Sequence, residues 1–320
     1  MYLKKRKENV WQEILSSKFK QKEKVSTIVK NILKIATPIS LCAIFSATTK
    51  TIDALTIVRI LKNYIGEEKA TLQYGILSGK VDMLIMLPFS FNTAFATALV
   101  PTIAGAIAKN KIDVARRRIK LSILISILIG IPCSILMSCF SYQILCFLFP
   151  NASSGCEMLK YSAWSIIFVV IIQTINGALQ GMGKLHIPVI AFAIGSIIKL
   201  ILNIVLIPKL QINGSIISTI ASHFITFIIC FKSLIKYANI KFEIDRFFVK
   251  PIIAGAIMIL FLNLFYRYLG NYFTNNFLFI FSLIISIFIY IISILFFKII
   301  KKDEIIIMPY GKKLYKVFKI

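Results

Sequence analysis

The sequence predicts an all-α fold, a polytopic membrane bundle of about eight transmembrane helices. Three observations predict it. The 320 residues are 58% hydrophobic and only 16% charged, with a mean hydropathy of +0.83, whereas soluble chains are about half apolar and a quarter charged. Apolar runs close to 20 residues long recur along the chain, the length at which an α-helix crosses ~30 Å of hydrocarbon. Basic residues gather between these runs. With the amino terminus inside, 28 of the 38 Lys and Arg fall in cytoplasmic segments and seven in external ones, the asymmetry that orients membrane proteins. Both termini are therefore expected in the cytoplasm, with the chain multi-pass in the cell membrane. A net charge of +25 would suggest nucleic acid in a soluble protein. Here the charge lies in loops facing anionic lipid, so membrane lipid is the expected partner and nucleic acid is not.

In chain order, residues 1–30 form a lysine-rich cytoplasmic arm or linker in which Trp11, Ile14 and Leu15 could lay one face on the membrane surface. They lack the apolar core of a secretory leader. A six-helix unit is expected over 31–236, two additional peripheral helices over 237–300 and a basic cytoplasmic tail over 301–320. The eight spans are placed near 33–58, 81–107, 118–140, 157–180, 187–207, 212–235, 250–269 and 274–298.

The first two spans are the most polar. Span one holds Pro38, Thr49, Lys50 and Asp53 and ends at Arg59. Lys50 and Asp53 are three apart and so neighbours on one helical face, where they could neutralise each other. Ionisable groups at this depth also line cavities and pathways. Span two opens with Lys80 and Asp82, passes Pro88, Asn92 and Thr93, and has Pro101 near its inner end; prolines free carbonyls and bend membrane helices. Span three opens on Arg116, Arg117 and Arg118, a cytoplasmic anchor at the headgroups. Spans four and five form a helical hairpin that breaks between Gln180 and His186. Gly181 and Gly183 supply the permissive backbone of the helix end, Lys184 marks a wet end, and Pro188 sits in the first turn of the returning helix. Lys199, Asn203 and His223 fall in spans five and six, where a buried interhelical hydrogen bond is the ordinary role and a proton relay the rarer one. Spans seven and eight are almost purely Ile, Leu and Phe, with Tyr266, Tyr268 and Tyr272 as interface anchors.

The six cysteines show no CxxC pair and no neighbouring His cluster, so neither a metal nor a cofactor is expected. Cys146 and Cys156 share one external region and could bridge.

The segments 74–106, 176–203, 212–222 and 36–61, with the patterns Leu99-Val-Pro101 and Gln180-Gly-x-Gly-Lys184-x-x-x-Pro188, resemble the polysaccharide-transporter branch of the multidrug/oligosaccharidyl-lipid/polysaccharide exporter superfamily. That branch includes lipid II flippases and a stage V sporulation protein. The similarity runs from about Lys30 to Ile300. It implies a chain equivalent to the second six-helix lobe plus the two terminal helices of a fold with about fourteen spans. It also implies a lipid-linked oligosaccharide as substrate and a separately encoded amino-terminal lobe as a candidate partner.

On this resemblance the two polar spans line a central cavity. Lys50, Arg59 and Lys80 become candidates to hold a pyrophosphate. Asp53 and Asp82 would orient those cations or take a coupling proton or sodium ion, and Thr49, Asn92 and Thr93 would hydrogen-bond sugar. No covalent chemistry is called for, so the protein is not expected to be an enzyme. Three readings stand: a flippase or polysaccharide exporter in cell-envelope or spore-cortex assembly, a cation-coupled multidrug exporter of the same superfamily, and a non-transporting membrane fragment or interaction subunit.

Overall fold

The computed structural model describes residues 25–150, 153–269 and 275–301. Most of the basic arm, nearly all of the tail, and Tyr272 lie outside them, as do the side chains of Tyr266 and Tyr268. All elements in the described residues are helical. Helix α1 spans Val25–Ile65, α2 Glu67–Ile76, α3 Asp82–Ala108, α4 Ile112–Cys139, α5 Ser141–Leu148, α6 Cys156–Ser162, α7 Ser165–Gly181, α8 His186–Leu210, α9 Ile212–Ala238, α10 Lys250–Leu269 and α11 Asn275–Phe296. Single π-helical turns, Leu77–Val81 and Asp245–Val249, lead into α3 and α10. Among the described residues, seven helical runs are long and apolar enough to cross a membrane, and α6 with α7 makes an eighth crossing if the pair is one span. The chain is a multi-pass membrane protein.

The helices outrun the apolar stretches that mark them. The first was expected over 33–58 and runs for 41 residues with Pro38 inside it. The segment after it, expected to be an external loop carrying Arg59, Lys62, Lys69 and Lys80, is helical apart from a break at Gly66 (φ 85°). Glu67, Glu68, Lys69, Ala70 and Leu72 are good helix formers, and backbone bonding needs no hydrocarbon around it. Together α2, the π turn and α3 form one run of 42 residues, Glu67–Ala108. The fourth span, expected to be continuous, bends by 43° between α6 and α7. At the bend, Ser165 Oγ donates to the Ser162 carbonyl at 2.7 Å, a side-chain bond that competes with the helix ladder.

Packing is closest between α8 and α9, α3 and α7, α1 and α8, and α4 and α7. One apolar core joins α3, α4, α7, α9, α10 and α11 through Ile103, Ile123, Ile175, Leu234, Met258 and Ile294. A second joins α1, α2, α6, α7 and α9 through Ile57, Leu61, Ala70, Leu159, Ile166 and Ile212. The α7–α8 hairpin turns at Gly183, whose φ of 71° suits a glycine. Gly181 has another role than the one expected of it. It is still helical and buried, and a Cβ there would lie 2.9 Å from Cβ of Ile103, so it lets α7 approach α3.

The end of the bundle where α4 starts and α9 stops is tied by charged groups. Arg116 Nε donates to the Ala238 carbonyl at 2.9 Å, Arg246 Nε donates to the Ile299 carbonyl at 2.6 Å, and the Lys184 ammonium sits 4.6 Å from the Tyr237 ring centroid. Lys301 donates to Glu243 at 3.0 Å and holds that carboxyl below its ordinary range. All six cysteines are unpaired, Cys146 and Cys156 among them.

Candidate functional site

Helices α1, α8 and α9 meet at Asp53. A carboxylate removed from water needs donors at hydrogen-bond distance, and here they come from across the helix interfaces. Lys199 Nζ donates to Asp53 Oδ2 at 2.5 Å, Asn203 Nδ2 to Oδ1 at 3.1 Å and Ser215 Oγ to Oδ1 at 3.4 Å. Asn203 Nδ2 also reaches Thr56 Oγ1 at 2.9 Å, while Asn203 Oδ1 is buried with no hydrogen-bond partner among the described residues. Asp53, Lys199, Asn203 and Ser215 are all buried. The expected pairing of Lys50 with Asp53 is therefore replaced by a pairing with Lys199. Lys50 stays exposed, and its neighbour's charge is satisfied in the drier helix interface, where an ion pair with good geometry is strongest.

A cavity of about 420 Å³ opens beside this knot. Ser46, Thr49, Lys50 and Asp53 of α1 line it together with Asp82 and Phe89 of α3, Ser162 of α6, Ser165 and Gln173 of α7, Phe192 and Lys199 of α8, and Thr219 and His223 of α9. A smaller pocket of about 210 Å³ shares Ala43, Ser46, Gln173 and Phe192 with it and extends the space toward Val100 and Gln180. Together the two form a groove along α1, α3 and α7.

Of the residues singled out from the sequence, Thr49, Lys50, Asp53 and Asp82 come together at the cavity wall. Arg59 is exposed further along α1, outside it. Lys80 precedes Asp82 by two residues in the π turn and directs its ammonium over the Phe149 ring, 5.2 Å from the centroid. Thr93 donates to the Phe89 carbonyl at 2.8 Å and lines neither pocket.

Asn92 is fully buried in a second polar knot. Its Nδ2 donates to the Val170 carbonyl and to Thr174 Oγ1, both at 2.9 Å, while Ser126 Oγ donates to its Oδ1 at 3.0 Å. This geometry locks α3, α4 and α7 together and leaves Asn92 no reach into the cavity. Pro88 is buried and Pro101 exposed within α3, and Pro188 is buried in the first turn of α8.

Lys199, His223, Gln173 and Ser162 were not among the expected cavity residues. A lone ionisable residue in an apolar run, which Lys199 and His223 each are, was the available signal. Among the described residues no three His, Cys, Asp or Glu side chains gather as a metal site would require. The cavity offers charge and hydrogen-bonding groups within an apolar bundle.

Residues 77–205, which carry Asp82, Gln173 and Lys199 of that wall, match a protein-family model, MatE. Sequence relatives match over longer stretches than residues 77–205. Over 206 residues the chain is 28% identical to the uncharacterized membrane protein YabM of Bacillus subtilis (strain 168), covering 63% of this chain and 38% of that protein. It is 29% identical over 176 residues to the lipid II flippase MurJ of the same organism, covering 53% and 32%, and 23% identical over 245 residues to its stage V sporulation protein B, covering 75% and 46%. The chain thus spans between a third and a half of the length of these curated relatives.

Among solved structures, the inward closed conformation of lipid II flippase MurJ superposes with a TM-score of 0.63 at 19% identity, covering 88% of this chain and 57% of that one. An outward-facing multidrug resistance MATE family transporter of the MOP superfamily superposes at 0.54 and 16% identity, covering 82% and 63%. The all-helical fold is shared with these two structures, one named a flippase and the other a transporter. The partial coverage fits one lobe of such a fold.

Proposed function

We propose that this chain forms the cavity-bearing lobe of a flippase that moves a lipid carrying a pyrophosphate-linked sugar from the inner to the outer leaflet, in cell-envelope or spore-cortex assembly. The observation that carries the reading is the cavity between α1, α3 and α7, apolar over most of its wall, with the Lys50 ammonium at that wall and no ion-pair partner for it among the described residues. A phosphate-bearing headgroup needs such a cation, and its contacts to charged donors are stronger out of bulk water. On this reading a separately encoded lobe supplies the facing half of the cavity, both termini lie in the cytoplasm, and a proton or sodium ion drives the cycle.

The test is complementation of a strain depleted of its lipid II flippase. The chain is expressed alone and together with a six-span first lobe from a relative. Rescue by the pair supports the reading. Failure of both, with the protein shown to be in the membrane, overturns it and favours a non-transporting subunit.

A second reading, a cation-coupled multidrug exporter, draws on Asp82 at the cavity wall, since a cationic drug needs a carboxylate there. Efflux of a lipophilic cationic dye that D82N abolishes would favour it over the flippase.

A further inference from the structure

Two carboxylates line the cavity, and their surroundings treat them differently. Asp53 is enclosed by Lys199, Asn203 and Ser215. Asp82 lies at the wall, part-buried, with no hydrogen bond or ion pair to any described residue. It directly follows the π turn Leu77–Val81. Such turns insert one extra residue into a helical run and are frequent at functional sites. Here the turn buries Leu77 and Val81 while the next residue reaches the cavity.

The titratable groups around Asp82 are Lys50 and Asp53 of α1, Tyr74 of α2, Lys199 of α8 and His223 of α9. Glu157 and Lys160 of α6 are exposed and line no part of the cavity, and α7 contributes Ser165 and Gln173 to it. With His223 neutral, the two lysines and two aspartates at the wall cancel. A proton on Asp82 leaves the cavity with one net positive charge, and its loss returns the sum to zero. In a confined space of low dielectric, one unit of charge changes the affinity for an anion about tenfold or more.

We propose that Asp82 is the proton-loading site of the cavity, protonated whenever an anionic, phosphate-bearing headgroup is bound, so that proton and headgroup enter together with Lys50 as the cationic contact. One O–H bond forms on the carboxylate with a proton taken from water and breaks when the headgroup leaves. The proposal rests on the phosphate reading above and names the residue that couples it to the proton gradient. Asp53, already held by an internal ammonium, is not that residue.

The test uses the full chain in lipid nanodiscs with farnesyl diphosphate as the probe. Calorimetry follows its affinity from about pH 5 to about pH 8.5, a range that starts just above the ordinary carboxylate pKa of about 4. The probe's own ionisation acts equally on the wild-type chain and on Asp82→Asn, so the ratio of their affinities is the readout. That ratio is expected to fall about tenfold towards alkaline pH, while Lys50→Met weakens binding at every pH. A flat ratio overturns the coupling role of Asp82 and leaves the phosphate reading standing. No binding by the wild-type chain at any pH overturns the joint entry of proton and headgroup. An infrared carboxylic-acid band lost in Asp82→Asn then separates a proton site without a phosphate ligand from neither. The asparagine variant is nearly isosteric, and its elution as a monodisperse peak like the wild type confirms that it is folded.

Discussion

Burying a charge in a membrane bundle is tolerable only when the partner arrives with good geometry, and the contacts of Asp53 set a measurable expectation. Lys199→Ala leaves a carboxylate buried without its cation and should lower the unfolding free energy by roughly 3 kcal/mol, whereas the double variant D53N/K199M should recover much of that loss. Thermal unfolding of the detergent-solubilised protein across the double-mutant cycle checks both values. Asn92→Ala should cost about 1 kcal/mol, the scale of interhelical hydrogen bonds in membrane proteins. It should leave probe binding in the cavity unchanged, because the side chain faces Val170, Thr174 and Ser126. Asp53 and Lys199 are legible in the sequence as lone charges in apolar runs. Their pairing is not, because it depends on α1 and α8 lying side by side across 146 residues of chain. For the same reason Asn92 looks like a cavity residue until the positions of α4 and α7 are known.

At the level of the helices, hydropathy locates where a segment meets hydrocarbon and says little about where its hydrogen-bond ladder stops. Every span expected from the sequence that falls within the described residues is helical, yet α1 begins earlier and ends later than its apolar core, and a presumed loop is the helix α2. Close approach sets another element-scale expectation. A Cβ on Gly177 would lie 2.6 Å from the Ala96 carbonyl oxygen, so Gly177→Val must push α7 away from α3 and should cost about 1 to 3 kcal/mol in the same unfolding assay. The link between Glu243 and Lys301 gives a pH dependence. The Lys301 hydrogen bond lowers the folded-state pKa of Glu243, so its stabilisation is present above the ordinary carboxylate range and is lost as pH falls through the lowered value. Both side chains are exposed, which limits the effect to about 1 kcal/mol or less. The stability of wild type should converge on that of E243Q in acid.

For the whole molecule, charge asymmetry and apolar length made the fold class readable, and the residue patterns pointed to the exporter superfamily whose fold the structure shares. The pairing of Asp53 with Lys199 and the enclosure of the cavity by α1, α3, α6, α7, α8 and α9 are matters of three-dimensional packing and leave no local mark on the sequence. The topology expectation is direct: an alkaline phosphatase fusion after Ile320 should be inactive, and one inserted at Gly66 active. The opposite pattern would invert the cavity relative to the two leaflets and remove the flippase direction proposed for it.

Helix α1 is 41 residues long, roughly 60 Å at 1.5 Å per residue, about twice the thickness of the hydrocarbon it crosses. Its ionic contact at Asp53 lies 28 residues from Val25, roughly 42 Å along the axis. The helix therefore has the proportions of a lever pivoted near one end. A tilt of about 5° about that contact would move the far end by roughly 4 Å.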